Sequence, residues 1–255
     1  MLSLAWLGHS TVVLDLDGVR LLTDPLLLRH AGLLRRRTPR PTASSWAGTD
    51  AVLLSHLHPD HAELRSLRIL PGVPVLTAHD NARWLRQRRV AAAVGIGEDW
   101  TDVGQAGAVQ VRLVTAHHRH RAMPDRPNTA NGHLLRSPTA TVWVAGDTSL
   151  YAEMADLPAL AGGGVDVAVV PIAGWGPRLS AGHMTPEQAA TACARTGARW
   201  ALPVHWGSLH PPLATRLPHS WLDRPGEEFV QALGRIAPNC RALRLTPGDA
   251  AVVCR

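Results

Sequence analysis

The N-terminal part of the chain alternates short apolar runs with turn signals. Three such runs, each rich in leucine or valine, occupy residues 4–7, 11–16 and 19–23. Gly8-His9 and Asp17-Gly18 separate the runs and mark the turns between them. Apolar runs bounded by turn residues predict β-strands, and the close spacing predicts that these strands are joined as hairpins.

Farther along the chain, runs that predict strands alternate with segments that predict helices. Further strands are predicted at residues 50–55, 73–77, 109–115, 133–136, 141–145, 166–172 and 199–204, and helices at residues 61–69, 80–89 and 226–236. Another helix begins near Thr185, because Thr185, Pro186 and Gln188 match an N-terminal cap with a capping box. Residues 29–45 and 117–131 lack apolar periodicity and are predicted to be loops.

The C-terminal pattern and the overall order of elements indicate the fold class. Residues 241–245 and 250–253 flank Pro247-Gly248-Asp249, which predicts a terminal hairpin. Hairpins followed by strand–helix alternation occur in both halves, which favours an α+β fold with two packed sheets and helices outside them. Apolar residues make up 45% of the 255 positions, which is enough for a sizeable core. Since no linker divides the chain, we expect one domain over residues 1–255.

Charge and cysteine content narrow the class of protein. The sequence contains no lysine, so all 26 basic residues are arginines, and the net charge is +6. Guanidinium groups bind phosphate and carboxylate, so this balance is compatible with an anionic substrate. Cys193, Cys240 and Cys254 are too few and too scattered for a disulfide framework. Without a basic leader, a cleavage site or an apolar run of about 18 residues, we expect a cytoplasmic protein with no membrane span.

The 14 histidines are unevenly distributed, and the densest segment is residues 56–61, with the pattern His-x-His-x-Asp-His. In an extended segment, residues two apart point the same way, so His56 and His58 can hold one ion. A turn after His58 lets Asp60 and His61 face a second ion. Imidazole and carboxylate ligands suit zinc, and also manganese or iron. A site for a single ion is the alternative.

Other strand ends offer further ligands. His117 and His118 follow the predicted strand at residues 109–115, Asp147 follows the one at 141–145, and His205 follows the one at 199–204. A site at the rim of a sheet would take its ligands from several strand ends in this way. Asp147 is suited to bridge two ions, because a carboxylate has two oxygens. Either His117 or His118 can supply the histidine.

Taken together, these motifs resemble a known family. The segments that carry the resemblance are Trp6-Leu7-Gly8-His9-Ser10-Thr11, Leu22-Thr23-Asp24-Pro25, residues 56–61, Ala145-Gly146-Asp147-Thr148, His183-x-Thr-Pro-Glu and His205-Trp206-Gly207. They are similar to the metallo-β-lactamase-fold hydrolases, and in particular to the branch of ascorbate-6-phosphate lactonase-like and N-acylphosphatidylethanolamine phospholipase D-like proteins. The resemblance covers essentially the whole chain and implies a four-layer αββα sandwich with a two-metal site.

The resemblance also implies roles for individual residues. It assigns His56, His58 and His118 to the first metal, Asp60, His61 and His205 to the second, and Asp147 to a bridge between them. Asp24 is implied to orient a ligand histidine through a hydrogen bond. His183, just before the helix at Thr185, is implied to lie on the substrate side of the metals. His118 is preferred over His117 because it fits the spacing of the family better.

The function predicted from these features is metal-dependent hydrolysis. Two divalent ions lower the pKa of a shared water to about 7, and the bridging hydroxide attacks a phosphorus or a carbonyl carbon. We expect Asp60 to position the water and move a proton, and His183 to stabilise the developing negative oxygen. A phosphodiester or phosphorylated small molecule is the expected substrate, because arginines cluster near the predicted mouth. These are Arg35, Arg36, Arg37, Arg40, Arg119 and Arg121, the last two being predicted to bind substrate.

Two other functions stay open. A lactonase or another carboxylic-ester hydrolase would use the same hydroxide. A nucleic-acid-binding protein or nuclease would fit the isoelectric point of about 10.7. With one Phe, one Tyr and nine tryptophans mostly spaced like core residues, however, few rings are available to stack on bases. We therefore expect a small-molecule partner rather than a nucleic acid, and a homo-oligomer is compatible with the sequence.

Overall fold

The structure, a computed structural model, describes residues 1–118, 126–127, 129–174, 176, 178–212 and 220–253. Its strands are β1 (Leu2–Gly8), β2 (Thr11–Leu16), β3 (Val19–Thr23), β4 (His30–Ala31), β5 (Leu34–Arg36), β6 (Ala51–Leu53), β7 (Val75–Ala78), β8 (Ala93–Ile96), β9 (Thr101–Val103), β10 (Val109–Thr115), β11 (Asn131–Arg136), β12 (Thr141–Val144), β13 (Val167–Pro171), β14 (Trp200–Val204), β15 (Leu209–His210), β16 (Arg241–Ala242) and β17 (Ala250–Val253). Its α-helices are α1 (Ala43–Trp46), α2 (Leu64–Arg68), α3 (His79–Gln87), α4 (Leu157–Ala161), α5 (Pro186–Thr196), α6 (Ser220–Asp223) and α7 (Pro225–Ile236). Short 3₁₀ helices cover Gln105–Gly107 and Ala152–Asp156.

The strands of the described residues form two seven-stranded sheets and one three-stranded sheet. The first sheet has the order β17-β1-β2-β3-β6-β7-β8, the second β16-β14-β13-β12-β11-β10-β9, and the third β15-β5-β4. In the first sheet an antiparallel meander, β1 to β3, continues into parallel strands. In the second, the antiparallel strands β9 to β12 precede the parallel pairs. Both halves therefore follow the predicted order of hairpins first and strand–helix alternation second.

The two large sheets pack face to face around an apolar core. Leu4 and Leu14 of the first sheet lie in one buried cluster with Val111, Val142 and Val169 of the second. A second cluster packs α5 and α7 on the outer face of the second sheet, and a third packs α2 and α3 on the outer face of the first. Each sheet thus buries both faces, one against the other sheet and one against helices. The predicted α+β, four-layer αββα sandwich is confirmed.

The predicted terminal hairpin is wrong. Residues 241–245 and 250–253 do not pair with each other, because β16 joins the second sheet beside β14 and β17 joins the first sheet beside β1. The turn between them is bound to β1 instead: the Gly248 N–H donates to the Trp6 carbonyl at 2.7 Å, and the Trp6 N–H donates to the Asp249 carbonyl at 3.0 Å. Each C-terminal strand therefore completes the edge of a different sheet.

The predicted loop at residues 29–45 is only partly correct. β4 and β5 form a small hairpin within it, β15 adds a third strand to this hairpin, and α1 follows. These strands are two or three residues long. They pair through backbone groups, and strands this short have no room for an apolar alternation that a sequence could reveal. β8 and β9 were likewise not predicted.

The start of α5 is formed as predicted. The Thr185 hydroxyl accepts a hydrogen bond from the Gln188 N–H at 3.2 Å, and the Gln188 side chain accepts one from the Thr185 N–H at 3.0 Å. This reciprocal capping box fixes the loop that carries His183, two residues before the cap. In the part of the chain that the structure describes, no helix has the length and apolar character needed to cross a membrane.

Candidate metal centre

Side chains able to bind metals gather at one edge of the sandwich. β10 and β12 run in the same direction, because both are antiparallel to β11, and β14 is parallel to them through β13. His118, Asp147 and His205 follow the ends of these strands. The loop after β6 brings residues 56–61 to the same place. Four distant parts of the sequence therefore meet at this edge.

One part of the centre, called here the three-histidine group, consists of His56, His58 and His118. The His58 Nδ1 atom lies 2.9 Å from Nε2 of His56 and 3.1 Å from Nε2 of His118. The outer nitrogens are engaged, since His118 Nδ1–H donates to the Gly182 carbonyl at 2.8 Å and His56 Nδ1–H donates to the Ser55 hydroxyl oxygen at 2.9 Å. At most one proton can lie among the three inner nitrogens, whereas a cation satisfies all of them.

The other part, called here the mixed group, consists of Asp60, His61 and His205. His61 Nδ1–H donates to the Asp24 carboxylate at 2.8 Å, and His205 Nδ1–H donates to the Ala173 carbonyl at 2.8 Å. The two Nε2 atoms face Asp60 Oδ2 at 3.9 and 3.6 Å. Because the outer N–H groups are fixed by these acceptors, the inner nitrogens can present lone pairs to a metal.

Asp147 lies between the two groups. Its Oδ2 atom is 3.1 Å from His61 Nε2, 3.2 Å from His205 Nε2 and 3.9 Å from His56 Nε2. The same oxygen is 3.2 Å from Nε2 of His183, whose side chain is 8% exposed. A carboxylate in contact with members of both groups, with its other oxygen Oδ1 unpartnered, can contribute a ligand atom to a cation at this edge.

The two groups differ in electrostatics. Burial lowers the pKa of His58 to about 4 and holds the pKa of His56 well below its ordinary value. Burial acts in the same direction on His205, but the carboxylates of Asp147 and Asp60 outweigh it and raise the pKa of His205 to about 9. The pKa of Asp60 lies well below its usual range, because neighbouring histidines overcome the effect of burial. The mixed group therefore favours positive charge among its ligand atoms.

Buried atoms without a partner show that the donor set fits metal ions. Among the described residues, the buried atoms that accept or donate no hydrogen bond include His61 Nε2, His205 Nε2 and Asp147 Oδ1. Burying unpaired polar atoms is costly, and coordination of a cation satisfies all three. Imidazole nitrogens combined with carboxylate oxygens are ligand types of zinc, manganese and iron. The residues at this edge can therefore hold metal ions.

Comparison with known proteins agrees with this geometry. A family model described as a beta-lactamase superfamily domain matches residues 19–206, which include all the residues of both groups and Asp147. This chain belongs to the beta-lactamase superfamily. The resemblance inferred from the sequence motifs is confirmed.

Relatives within the superfamily cover most of this chain. An uncharacterized protein of Mycobacterium tuberculosis is 29% identical over 91% of this chain and 64% of its own length. A UPF0173 metal-dependent hydrolase of Nitratidesulfovibrio vulgaris is 26% identical over 99% of this chain and 95% of its own length. The N-acyl-phosphatidylethanolamine-hydrolyzing phospholipase D 1 of Caenorhabditis elegans is 24% identical over 80% and 63%. The chain thus spans less than two thirds of the mycobacterial and nematode relatives.

A solved structure shows the same superfamily fold. Igni18, a metallo hydrolase from Ignicoccus hospitalis, superimposes with a TM-score of 0.74 at 23% identity. The alignment covers 98% of this chain and 97% of Igni18. At this identity the likeness supports the arrangement of sheets and helices, and the site is described from the residues of this chain alone.

Most of the residues predicted for the superfamily site come together in the structure. They are Asp24, His56, His58, Asp60, His61, His118, Asp147, His183 and His205. His117 lies apart, because its ring stacks on Tyr151 at a centroid distance of 4.6 Å. The geometry therefore favours His118 as the ligand candidate. The predicted substrate-binding residues Arg119 and Arg121 lie outside the described residues.

Several side chains of this superfamily site are carried by strained backbone. The φ angle is +55° at His9, +33° at Asp24 and +63° at His205, in the left-handed region that residues other than glycine rarely adopt. These turns aim the three side chains into the centre. Gly146, before the bridging carboxylate, has a φ of +63°, and a Cβ there would lie 2.8 Å from the Asn131 carbonyl oxygen. A glycine is therefore required at that turn.

His9 is the member of the centre to which sequence reasoning gave no role. Its Nε2 atom lies 3.0 Å from Asp60 Oδ2, and its ring centroid is 4.1 Å from that of His205. Burial lowers the pKa of His9 to about 4, so the neutral ring donates to the carboxylate. The sequence signal for a role of His9 was its position in the Gly-His-Ser-Thr motif. A histidine in a hairpin turn does not otherwise indicate that the turn contacts a distant ligand loop.

Proposed function

We propose that this chain is a hydrolase that holds two divalent cations, one in the three-histidine group and one in the mixed group, with Asp147 between them. The observation that carries the proposal is the convergence of ligand atoms on both sides of Asp147. On one side, His61 Nε2 and His205 Nε2 are buried without a hydrogen-bond partner, and on the other, the His58 Nδ1 atom lies within 3.1 Å of a nitrogen of each of two other imidazoles. A relative named a metal-dependent hydrolase, matched over nearly its whole length, supports it. The proposal extends the superfamily assignment to specific ligands and to a dinuclear centre.

The donor set also bears on the choice of metal. A bound pair of divalent cations supplies Lewis acidity and lowers the pKa of a water to about 7. Zinc is the first choice for ligands of imidazole and carboxylate type, and manganese and iron accept the same ligands. The hydrogen bonds from His61 to Asp24 and from His118 to Gly182 hold the ligand rings in place before a metal arrives.

Two side chains of the centre are placed for proton transfer and charge stabilisation. Asp60 has a lowered pKa and is ionised at neutral pH, so its carboxylate can orient the attacking water and accept a proton from it. His183 is held by a hydrogen bond between its Nδ1 and the Ser180 hydroxyl at 3.0 Å, and its Nε2 atom faces the centre. That nitrogen can donate to the oxygen on which negative charge develops.

We propose a phosphodiester or another phosphorylated small molecule as the substrate. The relative from Caenorhabditis elegans is named for hydrolysis of a phospholipid. Arg35, Arg36, Arg37 and Arg40 line one cavity of this chain, where they can bind phosphate oxygens. The same centre is able to attack the carbonyl carbon of a lactone or ester, so lactones form the second arm of the test.

The test combines metal analysis with a substrate panel. We expect the purified protein to contain two equivalents of metal by elemental analysis, and to hydrolyse bis-p-nitrophenyl phosphate faster than simple lactones. Asp147→Asn should remove metal and turnover together, whereas His117→Ala, beside the centre but outside it, should retain both. A preference for lactones would replace the proposed substrate class. Protein that holds both ions but turns over neither class would contradict the proposed hydrolase.

A further inference from the structure

A second charged site lies next to the metal centre. It is a cavity of about 600 Å³ whose lining includes Arg29, Arg35, Arg36, Arg37, Arg40 and His210, and it is called here the arginine groove. We propose that the arginine groove binds the phosphate group of a small phosphorylated ligand and anchors the non-reacting end of the substrate. The anchoring role rests on the function proposed above, whereas phosphate binding by the groove does not.

The charge around the groove is unbalanced. Its described lining contains no acidic residue. Arg29, Arg35 and Arg40 are exposed, and among the described residues their side chains have no ion-pair partner. An adjoining cavity brings Glu63 near Arg29 and Arg40. The Glu63 carboxylate, however, accepts hydrogen bonds from the Arg65 and Ser66 N–H groups as the cap of α2. Arg37 pairs with Asp223 at 2.7 Å, whereas Arg29, Arg35 and Arg40 are gathered without a counter-ion. Such guanidinium groups repel one another, so an anion is the favoured occupant.

The floor of the groove is formed by Arg36, whose side chain is held in place by hydrogen bonds. Arg36 is only 4% exposed. Its Nη1 donates to the Leu26 carbonyl at 2.8 Å, and its Nη2 donates to the Leu7 carbonyl. Burial lowers the pKa of Arg36 to about 10, which leaves it charged at neutral pH. Its Nε–H is buried and has no hydrogen-bond partner among the described residues. A fixed, buried positive charge in the lining of the groove adds to the attraction for an anion.

The groove and the metal centre share a wall. The Leu7 carbonyl that accepts from Arg36 is two residues before His9, which contacts Asp60 of the mixed group. On the other side, the Ser208 hydroxyl accepts from the His9 N–H at 2.7 Å, while the Ser208 carbonyl accepts from the Arg37 N–H at 2.9 Å. The groove is thus connected to the proposed site of hydrolysis through the backbone on either side of His9 and Ser208. This placement fits an anchor for the charged end of a substrate.

The dimensions and lining favour a small ligand over a nucleic acid. A volume of about 600 Å³ lies within the range of sites for small molecules. Among the described lining residues, the only ring besides Pro39 is the imidazole of His210. Binding of single strands relies on aromatic rings that stack on bases, which this lining does not offer. The clustered guanidinium forks match the several oxygens of a phosphate or diphosphate.

The first experiment measures phosphate binding by the full-length protein as purified. Pyrophosphate and inorganic phosphate are titrated into the wild type and the groove variant Arg29→Ala/Arg35→Ala/Arg40→Ala by calorimetry. The matched control is Arg83→Ala/Arg89→Ala/Arg235→Ala, which removes the same charge from exposed arginines outside the groove. We expect the groove variant to bind pyrophosphate about tenfold or more weakly, because charge-assisted hydrogen bonds are lost, and the control to match the wild type.

The readouts separate the groove from the metal centre. Metal content and thermal stability should be the same in all three proteins, so that a loss of binding is not a loss of metal or of folding. Pyrophosphate binding that is equal in the groove variant and the wild type would overturn the proposal. A single-stranded oligonucleotide that binds more tightly than pyrophosphate and loses affinity in the groove variant would also overturn it, in favour of a nucleic acid.

Kinetics then test the anchoring role. On a phosphorylated substrate of the wild type, the groove variant should show a raised KM with little change in kcat, because the groove is proposed to bind and not to react. An unchanged KM would overturn the anchoring role. If pyrophosphate binding depends on the groove but the protein turns over no phosphoester or lactone, phosphate binding stands while the proposed function fails.

Discussion

The three-histidine group consists of imidazoles alone and the mixed group combines imidazoles with a carboxylate, and the two groups lie in opposite electrostatic surroundings. The pKa of His58 is lowered to about 4 by burial, whereas that of His205 is raised to about 9 by nearby carboxylates despite burial. The difference teaches that the two halves of the centre are not equivalent. In the metal-free protein, the lowered pKa values favour neutral imidazoles in the three-histidine group, and the raised pKa values of His61 and His205 favour a second proton on these two rings of the mixed group. We expect the carboxylate-rich mixed group to accept harder cations such as manganese more readily than its neighbour does.

Removing Asp147 should eliminate metal binding in both groups, and with it the difference between them. Its carboxylate contacts histidines of both groups, so Asp147→Ala removes a ligand from each. We expect loss of both ions, and a fall in turnover of about three orders of magnitude or more, because metal chemistry supplies several kcal/mol of barrier reduction. Elemental analysis and single-substrate kinetics check this. Full occupancy by both ions in the variant would show that Asp147 does not bridge.

Removing His118 should weaken metal binding in the three-histidine group only. His118→Ala takes one of three nitrogens from the three-histidine group and leaves the mixed group intact. We expect the metal content to fall from two equivalents to about one, with turnover reduced at least about 100-fold. The adjacent His117→Ala is the matched control, since His117 stacks on Tyr151 outside the centre. The opposite result, in which the His117 variant loses the metal, would reverse the assignment.

Replacing His9 should weaken metal binding in the mixed group, and the expected factor is smaller than for the removal of a ligand. His9→Asn keeps a residue that tolerates the left-handed backbone but shortens the donor that reaches Asp60. We expect a loss of about 10- to 100-fold in affinity for one ion, as is usual for residues that orient a ligand. Titration with a metal-sensitive dye would resolve the two affinities. A loss confined to the ion of the three-histidine group would contradict this role.

The number of protons released when a cation binds should also differ between the two groups, and this is the smallest of the expected effects. The pKa of His61 is raised well above its ordinary value, and that of His205 to about 9, so both rings carry a second proton at pH 7 in the metal-free protein. Cation binding to the mixed group must expel these protons. We expect release of about one to two protons per protein at pH 7, and less release as the pH rises through about 9, where metal-free His205 loses its second proton. The neutral three-histidine group should contribute none.

Calorimetry in buffers with different heats of ionisation measures this release. Repeating the titration with Asp60→Asn should reduce it, because one of the carboxylates that raise the pKa of His205 is removed. Equal proton release at pH 7 and above pH 9 would show that the difference between the groups is not electrostatic.

The comparison also shows which features the sequence could predict. The His-x-His-x-Asp-His segment, together with Asp147 and His205 at strand ends, pointed to one edge of a sandwich because strands that run in the same direction end at the same side. His9 received no role, and the burial of Arg36 could not be predicted, because both depend on contacts between hairpins far apart in the sequence. Spacing left His117 and His118 as alternatives, and only the orientation of the rings separates them.

The prediction of a terminal hairpin was wrong for a related physical reason. A Pro-Gly-Asp turn is a local signal, whereas pairing depends on which sheet edge is available to each flanking segment. Here two different sheets each offered an edge strand, and the chain used both. Local pattern therefore predicted that β16 and β17 are strands and could not predict their neighbours.

The pairing of β1 with β17 has a consequence for synthesis in the cell. β1 (Leu2–Gly8) is synthesised long before β17 (Ala250–Val253), the strand that covers its outer edge. Until β17 is made, the unpaired N–H and C=O groups along this edge of β1 are open to pairing with other nascent chains. We expect translation of this protein to depend on chaperones at that stage, and C-terminal truncations that omit β17 to accumulate in inclusion bodies.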